Sequence, residues 1–209
     1  MPIHDWTRVR AGVFHDFHQE WTICIKRALN GGILPEGYYA MVEAPPRVGI
    51  TETIHSDPYA ERSNRVVAFN GVDENVGVIE IVSPGNKGSR NDFQWLVGQL
   101  LRFLHEGIHV LIVDLFPPTA RDPQGVHAAL WSQLDDCDFQ LPPGKLLTTV
   151  SYSAGHVKCA YLEPLAVGDS LPAMPLFLEA ESYVEVPIEA TYQTAFDDVP
   201  KPYRDELTA

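Results

Sequence analysis

The sequence predicts an α/β domain in which helices flank a mixed central sheet. Two segments, Val76–Val82 and Val110–Phe116, have the nearly continuous aliphatic and β-branched composition of strands that are buried on both faces. A helical pattern separates them, and a connection of this length that contains a helix joins parallel strands by a right-handed crossover. Other segments alternate between apolar and polar residues as antiparallel strands do. The sheet is therefore expected to be mixed.

The length and composition indicate one globular domain. The chain has 209 residues, of which 45% are hydrophobic and 21% are charged, which is enough to form a core. A net charge of −13 disfavours generic nucleic-acid binding, because phosphate contacts need a basic surface. No run reaches the ~18 apolar residues of a membrane helix, and the N-terminal segment has no signal-peptide pattern. The odd number of widely spaced cysteines predicts reduced thiols and a cytoplasmic location.

The first third of the chain is predicted to contain a helix and two strands. Residues 12–30 form the helix, which the glycines that follow would end in a left-handed conformation. Its apolar positions recur at steps of three and four: Phe14, Phe17, Trp21, Ile25, Ala28 and Leu29. The strands are Tyr38–Glu43 and Arg65–Phe69, and the polar segment 45–64 between them predicts a loop or a weak hairpin.

A turn and a second helix follow the strand Val76–Val82. Residues 83–88 read Ser-Pro-Gly-Asn-Lys-Gly, and Ser89 then suits the N-cap of a helix that ends at Gly107. The apolar stripe of this helix consists of Phe93, Leu96, Val97, Leu100 and Leu104. This is the helix that would connect the two parallel strands.

The remainder of the chain divides into further elements of the domain and a C-terminal arm. A short helix opens at Asp122, and Leu146–Ser153 with Val157–Leu162 predicts an antiparallel pair. The domain is assigned to residues 1–162. Residues 163–209 are rich in proline and acids, which predicts an extended arm. Because the arm is also too apolar to be disordered, we expect it to pack on the same domain, where it could guard a pocket or contact a partner.

Glu80 is the first candidate for a functional residue, since it is the one carboxylate in an otherwise apolar strand. A carboxylate there needs a metal, an arginine or backbone donors as its partner. The turn after it lies where α/β proteins tend to form ligand sites. Glu80 could hold Mg²⁺ while Lys87 stabilises charge on a phosphoryl group or helps to activate water. Alternatively, Glu80 forms a buried ion pair with Lys87 or Arg102.

Asp114 and Glu43 are candidates for a third carboxylate beside Glu80. Asp114 interrupts the strand segment VLIVDLF, and Glu43 ends the segment YYAMVE. Asp114 could instead turn the chain before Pro117, because aspartate is common at turns. A phosphodiester substrate would face a local basic edge made of Lys87, Arg90 and Arg102.

Three histidines near the N-terminus are further candidates for metal ligands. His15 and His18 are three residues apart and would share one face of a helix, and His4 could supply a third ligand. These histidines and Glu80 make up the candidate metal ligands. The alternative is that the histidines are packed or hydrogen-bonded without a metal. The sequence contains no GxSxG, P-loop, GxGxxG, CxxC or HExxH motif.

Four segments resemble a bacterial family of uncharacterised proteins, domain of unknown function family 4058. They are MPIHDWTRVRAGVFHDFHQEW, VIEIVSPGNK, HVLIVDLF and YLEPLAVGDSLPAMPLFL. The second segment also resembles the core of the restriction-endonuclease-like PD-(D/E)XK fold. In the related Uma-type members, a strand end of the form E-V-L-S-P supplies the acid of the second half-motif.

The resemblance implies a site from which two of three core residues have been replaced. Glu80 matches the acid of (D/E)XK, but Val82 stands where the lysine belongs. The nearest match to the first half-motif is Pro46-Arg47-Val48, with arginine in place of the metal-binding aspartate. The resemblance therefore predicts that Arg47 lies within ion-pair reach of Glu80.

The sequence thus predicts a catalytically degenerate restriction-endonuclease-like domain that acts as a binding or interaction module, with a second copy or another protein as its partner. One alternative is a Mg²⁺-dependent phosphodiesterase or nuclease that uses Glu80, Lys87 and a carboxylate from Glu43 or Asp114. The other is a metal-dependent hydrolase built on the three histidines. Mg²⁺ is the candidate cofactor of the first alternative.

Overall fold

The computed structural model describes residues 2–43, 64–136 and 138–209, which contain five α-helices and eight strands. The helices are α1 (Ala11–Ala28), α2 (Arg90–His105), α3 (Gly125–Trp131), α4 (Ile188–Asp197) and α5 (Lys201–Thr208). The strands are β1 (Tyr39–Glu43), β2 (Arg65–Phe69), β3 (Asn75–Ile81), β4 (His109–Asp114), β5 (Leu147–Ser153), β6 (Cys159–Leu165), β7 (Met174–Phe177) and β8 (Tyr183–Val186). The predicted α/β class is confirmed.

Six strands form one mixed sheet in the order β1-β2-β3-β4-β5-β6. Its neighbours pair antiparallel except for β3 and β4, which are parallel and are connected through α2. The predicted crossover is therefore confirmed. In this parallel pair Glu80 lies opposite Ile112, so Asp114 lies two residues further along β4 on the same face. Strands β7 and β8 form a separate hairpin.

The two faces of the sheet are covered by different elements. Helix α1 and the C-terminal segment, residues 163–209, cover one face, which we call the α1 face. The buried residues that β3 and β4 contribute to it are Ile79, Ile81, Leu111 and Val113. Helices α2 and α3 cover the α2 face, to which Val82, Val110 and Ile112 contribute. Because side chains alternate along a strand, Glu80 and Asp114 belong to the α2 face.

The helix ends follow the predicted signals. Gly32, just beyond α1, and Gly107, just beyond α2, have φ values of 117° and 82°, which glycine adopts without a Cβ penalty. The Ser89 side chain caps α2 by accepting a hydrogen bond from the Asp92 N–H at 3.1 Å. The predicted loop or hairpin at 45–64 falls almost entirely outside the described residues. None of the helices in the described ranges is long and apolar enough to cross a membrane.

The C-terminal segment packs on the sheet, but it is not an extended arm. Strand β6 crosses the boundary assigned at residue 162, and the segment continues as the β7–β8 hairpin and helices α4 and α5. Pro164 and Pro175 lie within β6 and β7, whereas Pro187 and Pro200 are the N-cap residues of α4 and α5. Between them, Tyr192 and Phe196 form a helical stripe that is buried against α1. Prolines in this segment therefore lie both at helix starts and within strands.

Candidate functional site

Glu80 forms a buried ion pair with Arg65 of the neighbouring strand. In the antiparallel β2–β3 register Val66 pairs with Ile79, so Arg65 is placed beside Glu80 on the α2 face. Arg65 Nε lies 3.4 Å from Glu80 Oε2, and the two side chains are 4% and 3% exposed. Burial raises the pKa of Glu80, and the nearby guanidinium opposes this increase. The positive charge that compensates the buried Glu80 carboxylate of β3 is therefore that of Arg65.

Helix α2 holds the guanidinium in place. Arg65 Nη2 donates a hydrogen bond to Gln99 Oε1 at 2.7 Å, and the guanidinium carbon lies 5.3 Å from the centre of the Phe103 ring. Both residues project from α2 toward the sheet, four positions apart on one helix face. Arg65 therefore contacts the Glu80 carboxylate within the sheet, and the Gln99 amide and the Phe103 ring on helix α2.

The Arg65 guanidinium lies beside the carboxylate oxygen to which a metal ion would bind. A Mg²⁺ ion binds oxygen ligands at about 2.0–2.1 Å and retains several waters. Arg65 Nε already lies 3.4 Å from Glu80 Oε2, and neither atom makes a hydrogen bond. The contact therefore compensates the charge of Glu80 without directional bonding, and the positive charge beside Oε2 is that of a guanidinium.

Lys87 is buried in a second network at the C-terminal ends of β3 and β4. Its Nζ lies 2.8 Å from Asp114 Oδ2, 2.8 Å from Asp122 Oδ2 and 3.0 Å from the Phe116 carbonyl oxygen. Nζ donates hydrogen bonds to Asp114 Oδ2 and to the Phe116 carbonyl oxygen, and its contact with Asp122 Oδ2 is an ion pair. Lys87 therefore connects the turn after β3 to the loop after β4.

Local hydrogen bonds position this lysine. Ser83 and Asn86 form a reciprocal capping box around the short helix Pro84–Lys87, which directs the Lys87 side chain inward. Asp122 is oriented by the Thr119 N–H, which donates to Asp122 Oδ1 at 2.8 Å. The second carboxylate oxygen of Asp122 is thereby left to face Lys87.

The charges in this network stabilise the protonated lysine. Burial by itself would lower the pKa of Lys87, but Asp114 and Asp122 outweigh it, so the pKa is raised. Burial raises the pKa of Asp114 against the opposing charge of Lys87. Lys87 therefore remains a cation that is hydrogen-bonded to Asp114 and Phe116 and ion-paired with Asp122, which suits a structural link and does not suit a proton-transfer group.

These contacts correct three sequence predictions. Lys87 pairs with two aspartates, and neither it nor Arg102 is the ion partner of Glu80, which is Arg65. Lys87 is buried, so it does not form a surface basic edge with Arg90 and Arg102, which are exposed. The physical reason is that the turn at 83–88 directs the lysine toward β4, whereas the sheet register supplies Glu80 with a cation from β2.

The two strand-end acids lie in different environments. Asp114 is buried, and besides contacting Lys87 it accepts a hydrogen bond from the Phe116 N–H at 3.3 Å, as a turn residue would. Glu43 is exposed and pairs in register with Arg65. Glu43 and Glu80 therefore lie on the two strands that flank Arg65, while Asp114 belongs to the lysine network.

The predicted histidine site is not assembled. His4 Nδ1 lies 2.8 Å from the Tyr192 hydroxyl, and the His4 ring stacks on Phe196 at 3.8 Å, so it is part of the aromatic core. His18 Nε2 lies 3.1 Å from the Ile81 carbonyl oxygen, and burial lowers the pKa of His18 to about 4. Across the described ranges, no three His, Cys, Asp or Glu side chains are arranged to hold a metal, with His15 and Glu80 included.

Sequence reasoning missed Arg65, Gln99 and Asp122. Arg47, the predicted partner of Glu80, lies outside the described residues. A signal for Arg65 was present, since it is a charged residue at the start of the buried segment RVVAF. Gln99 likewise sits within the apolar stripe of α2, and a polar residue in such a stripe needs a buried partner.

Comparisons with protein-family models, with curated proteins and with solved structures each found no match to this chain. What the fold and site define is an α/β domain with two buried ion-pair networks on one face of its sheet. One network centres on Glu80 and the other on Lys87.

Proposed function

We propose that this protein is a catalytically degenerate restriction-endonuclease-like domain that acts as a binding or interaction module. One observation carries the proposal: the buried acid of β3 is neutralised by the guanidinium of Arg65, at 3.4 Å, where a nuclease would need a divalent cation. The second half-motif reads Glu80-Ile81-Val82, so an apolar side chain occupies the lysine position. Lys87 does not replace it, because its donors face Asp114, Asp122 and a carbonyl.

The residue that replaces the metal-binding aspartate is, in this proposal, Arg65. It lies on the strand before β3 and directly beside Glu80, which is where a second carboxylate would have to lie to share a cation. An arginine there repels a cation and supplies the positive charge itself. We also propose a cytoplasmic location, which the free thiols of Cys24 and Cys159 support.

The proposal is tested by restoring the acid. Arg65→Asp combined with Val82→Lys rebuilds an Asp–Glu–Lys set, and the wild-type protein is the reference. We expect Mn²⁺ to raise the melting temperature of the double variant and not that of wild type, because a ligand that binds the folded state stabilises it by about 2.7 kcal/mol at 100 times its Kd. Adding Glu80→Gln to the double variant should abolish the effect of Mn²⁺.

A direct assay on the unmodified chain complements this experiment. Wild type is incubated with single- and double-stranded DNA in Mg²⁺ or Mn²⁺, and we expect no cleavage. The control is Glu106→Gln, which removes an exposed acid just after α2. Cleavage that persists in this control but disappears in Glu80→Gln would contradict the proposal and identify an active phosphodiesterase.

A further inference from the structure

Two exposed tyrosines share one buried aromatic residue at the edge of the sheet. Tyr161 of β6 is 51% exposed and Tyr183 of β8 is 53% exposed. The centre of the Phe177 ring lies 5.3 Å from that of Tyr161 and 5.5 Å from that of Tyr183. Phe177 is itself buried and pairs with Tyr183 across the hairpin. The tyrosines are therefore held at fixed positions with part of each ring open to solvent. We call Tyr161 and Tyr183 the tyrosine pair.

The tyrosine pair adjoins an open strand. Among the described strands, β6 is the last of the six-stranded sheet, so its outer edge pairs with no other strand. Such an edge presents backbone N–H and C=O groups that can accept an additional strand. Pro164 lacks an N–H group and lies near the end of β6, which leaves 159–163 as the segment suited to pairing.

The surface around the tyrosine pair is acidic. Glu163 follows Tyr161 by two residues and Glu185 follows Tyr183 by two residues, so each glutamate shares a strand face with its tyrosine, and both are exposed. The hairpin turn adds two more exposed glutamates, Glu179 and Glu181. The nearby Lys158 is directed away, because its Nζ donates to the carbonyl oxygens of Ala154 and Gly155 at 2.9 Å.

This charge distribution selects the kind of partner. Two copies of the chain joined at β6 would bring glutamates close together, and the chain already carries a net charge of −13. A segment with arginine or lysine side chains has the complementary charge. Arginine also stacks on tyrosine rings and pairs with carboxylates, so both exposed side-chain types on this surface can bind it.

We propose that β6 and the tyrosine pair bind an extended, basic segment of a partner protein. The segment adds as a strand along 159–163, and its cationic side chains stack on Tyr161 and Tyr183 while they pair with Glu163 and Glu185. This inference rests on the proposed role as an interaction module and specifies the chemistry of the partner.

The test uses the full chain and a fluorescently labelled seven-residue peptide that alternates arginine and valine. Fluorescence anisotropy at physiological salt should show saturable binding. Tyr161→Ala and Tyr183→Ala should each weaken it about two- to fivefold, the worth of an exposed cation–π contact. Tyr161→Phe retains the ring and should bind more tightly than Tyr161→Ala.

A matched charge control separates local contacts from the overall charge. Glu163→Gln/Glu185→Gln and Glu106→Gln/Asp135→Asn both change the net charge by the same amount, but the second pair follows α2 and α3, which cover the sheet face opposite the hairpin. We expect only the first double variant to lose affinity. Melting curves of all variants verify that they are folded.

Three outcomes would overturn the inference: no saturable binding, equal loss in the two double variants, or unchanged binding in the tyrosine variants. A wild-type dimer in light scattering that becomes monomeric in Tyr161→Ala/Tyr183→Ala would also overturn it, because the face would then bind a second copy. None of these results depends on whether Mn²⁺ stabilises the Arg65→Asp/Val82→Lys variant. Failure of the peptide-binding inference can therefore be distinguished from failure of the proposed function.

Discussion

Replacing Lys87 with methionine should destabilise the protein strongly, because it leaves two buried carboxylates without their cation. Methionine approximates the length of the lysine side chain but cannot donate to Asp114, Asp122 or the Phe116 carbonyl. Removal of one partner from a buried ion pair costs about 3–5 kcal/mol. For a chain of 150–250 residues, about 2–4 °C of melting temperature is lost per kcal/mol, so the expected decrease is roughly 6–20 °C.

The pH dependence gives this prediction a second signature. Burial raises the pKa of Asp114 and Lys87 opposes that increase, so without Lys87 the pKa lies further above its unfolded value and the folded state binds more protons. The stability of Lys87→Met should therefore decrease as pH rises from about 4 to 7, and its deficit relative to wild type should be smallest at pH 4. Urea unfolding followed by circular dichroism at both pH values measures this difference.

Two further variants make the test specific. Adding Asp114→Asn and Asp122→Asn to Lys87→Met removes the uncompensated charges, while each Asn Oδ1 can still accept the backbone N–H bond of the aspartate it replaces. Most of the lost stability should return. Lys145→Met breaks the half-exposed pair with Asp169 and should cost far less. A loss below about 1 kcal/mol for Lys87→Met, or one that is independent of pH, would refute the charge argument.

Three other predictions concern packing, an anchoring hydrogen bond and a buried histidine. Gly77→Ala should lower the free energy of unfolding in urea by about 1–3 kcal/mol, because a Cβ would meet the β7 backbone and a leucine methyl at 3.2 Å. Its control, Gly98→Ala on α2, adds a Cβ in open space and should raise the free energy of unfolding by up to about 1 kcal/mol. Tyr192→Phe removes the hydroxyl that accepts two hydrogen bonds from the N-terminal segment and should cost about 1–3 kcal/mol, with faster amide exchange in residues 2–9. Burial lowers the pKa of His18 to about 4, so the protein should lose up to roughly 3 kcal/mol of stability as pH falls from about 6.5 to about 4. His18→Gln retains a donor for the Ile81 carbonyl and should reduce this dependence of stability on pH. An unchanged pH dependence in the variant would contradict the assignment to His18.

Much of the fold was predictable because its signals are local. The helical stripe of α1, the Ser89 cap and the glycine that ends α2 each depend on residues within a few positions of one another. The parallel pairing of β3 and β4 also followed, since an intervening helix leaves few alternatives for two buried strands. The proline content of residues 163–209 predicts an extended arm and not helices α4 and α5, because proline suits both extended chain and helix starts such as Pro187 and Pro200.

From the sequence alone, Glu80 could be identified as a buried acid that needs a partner, because a carboxylate in an apolar strand is costly to leave uncompensated. The identity of that partner was decided only by the tertiary structure. Arg65, Lys87, Arg102 and Arg47 all carried the required charge, and the β2–β3 register brought Arg65 to Glu80 while the turn after β3 directed Lys87 to Asp114 and Asp122. Charge complementarity acts over a few ångströms, so the choice among cations distant in sequence depends on strand register and turn geometry, which composition and spacing do not specify.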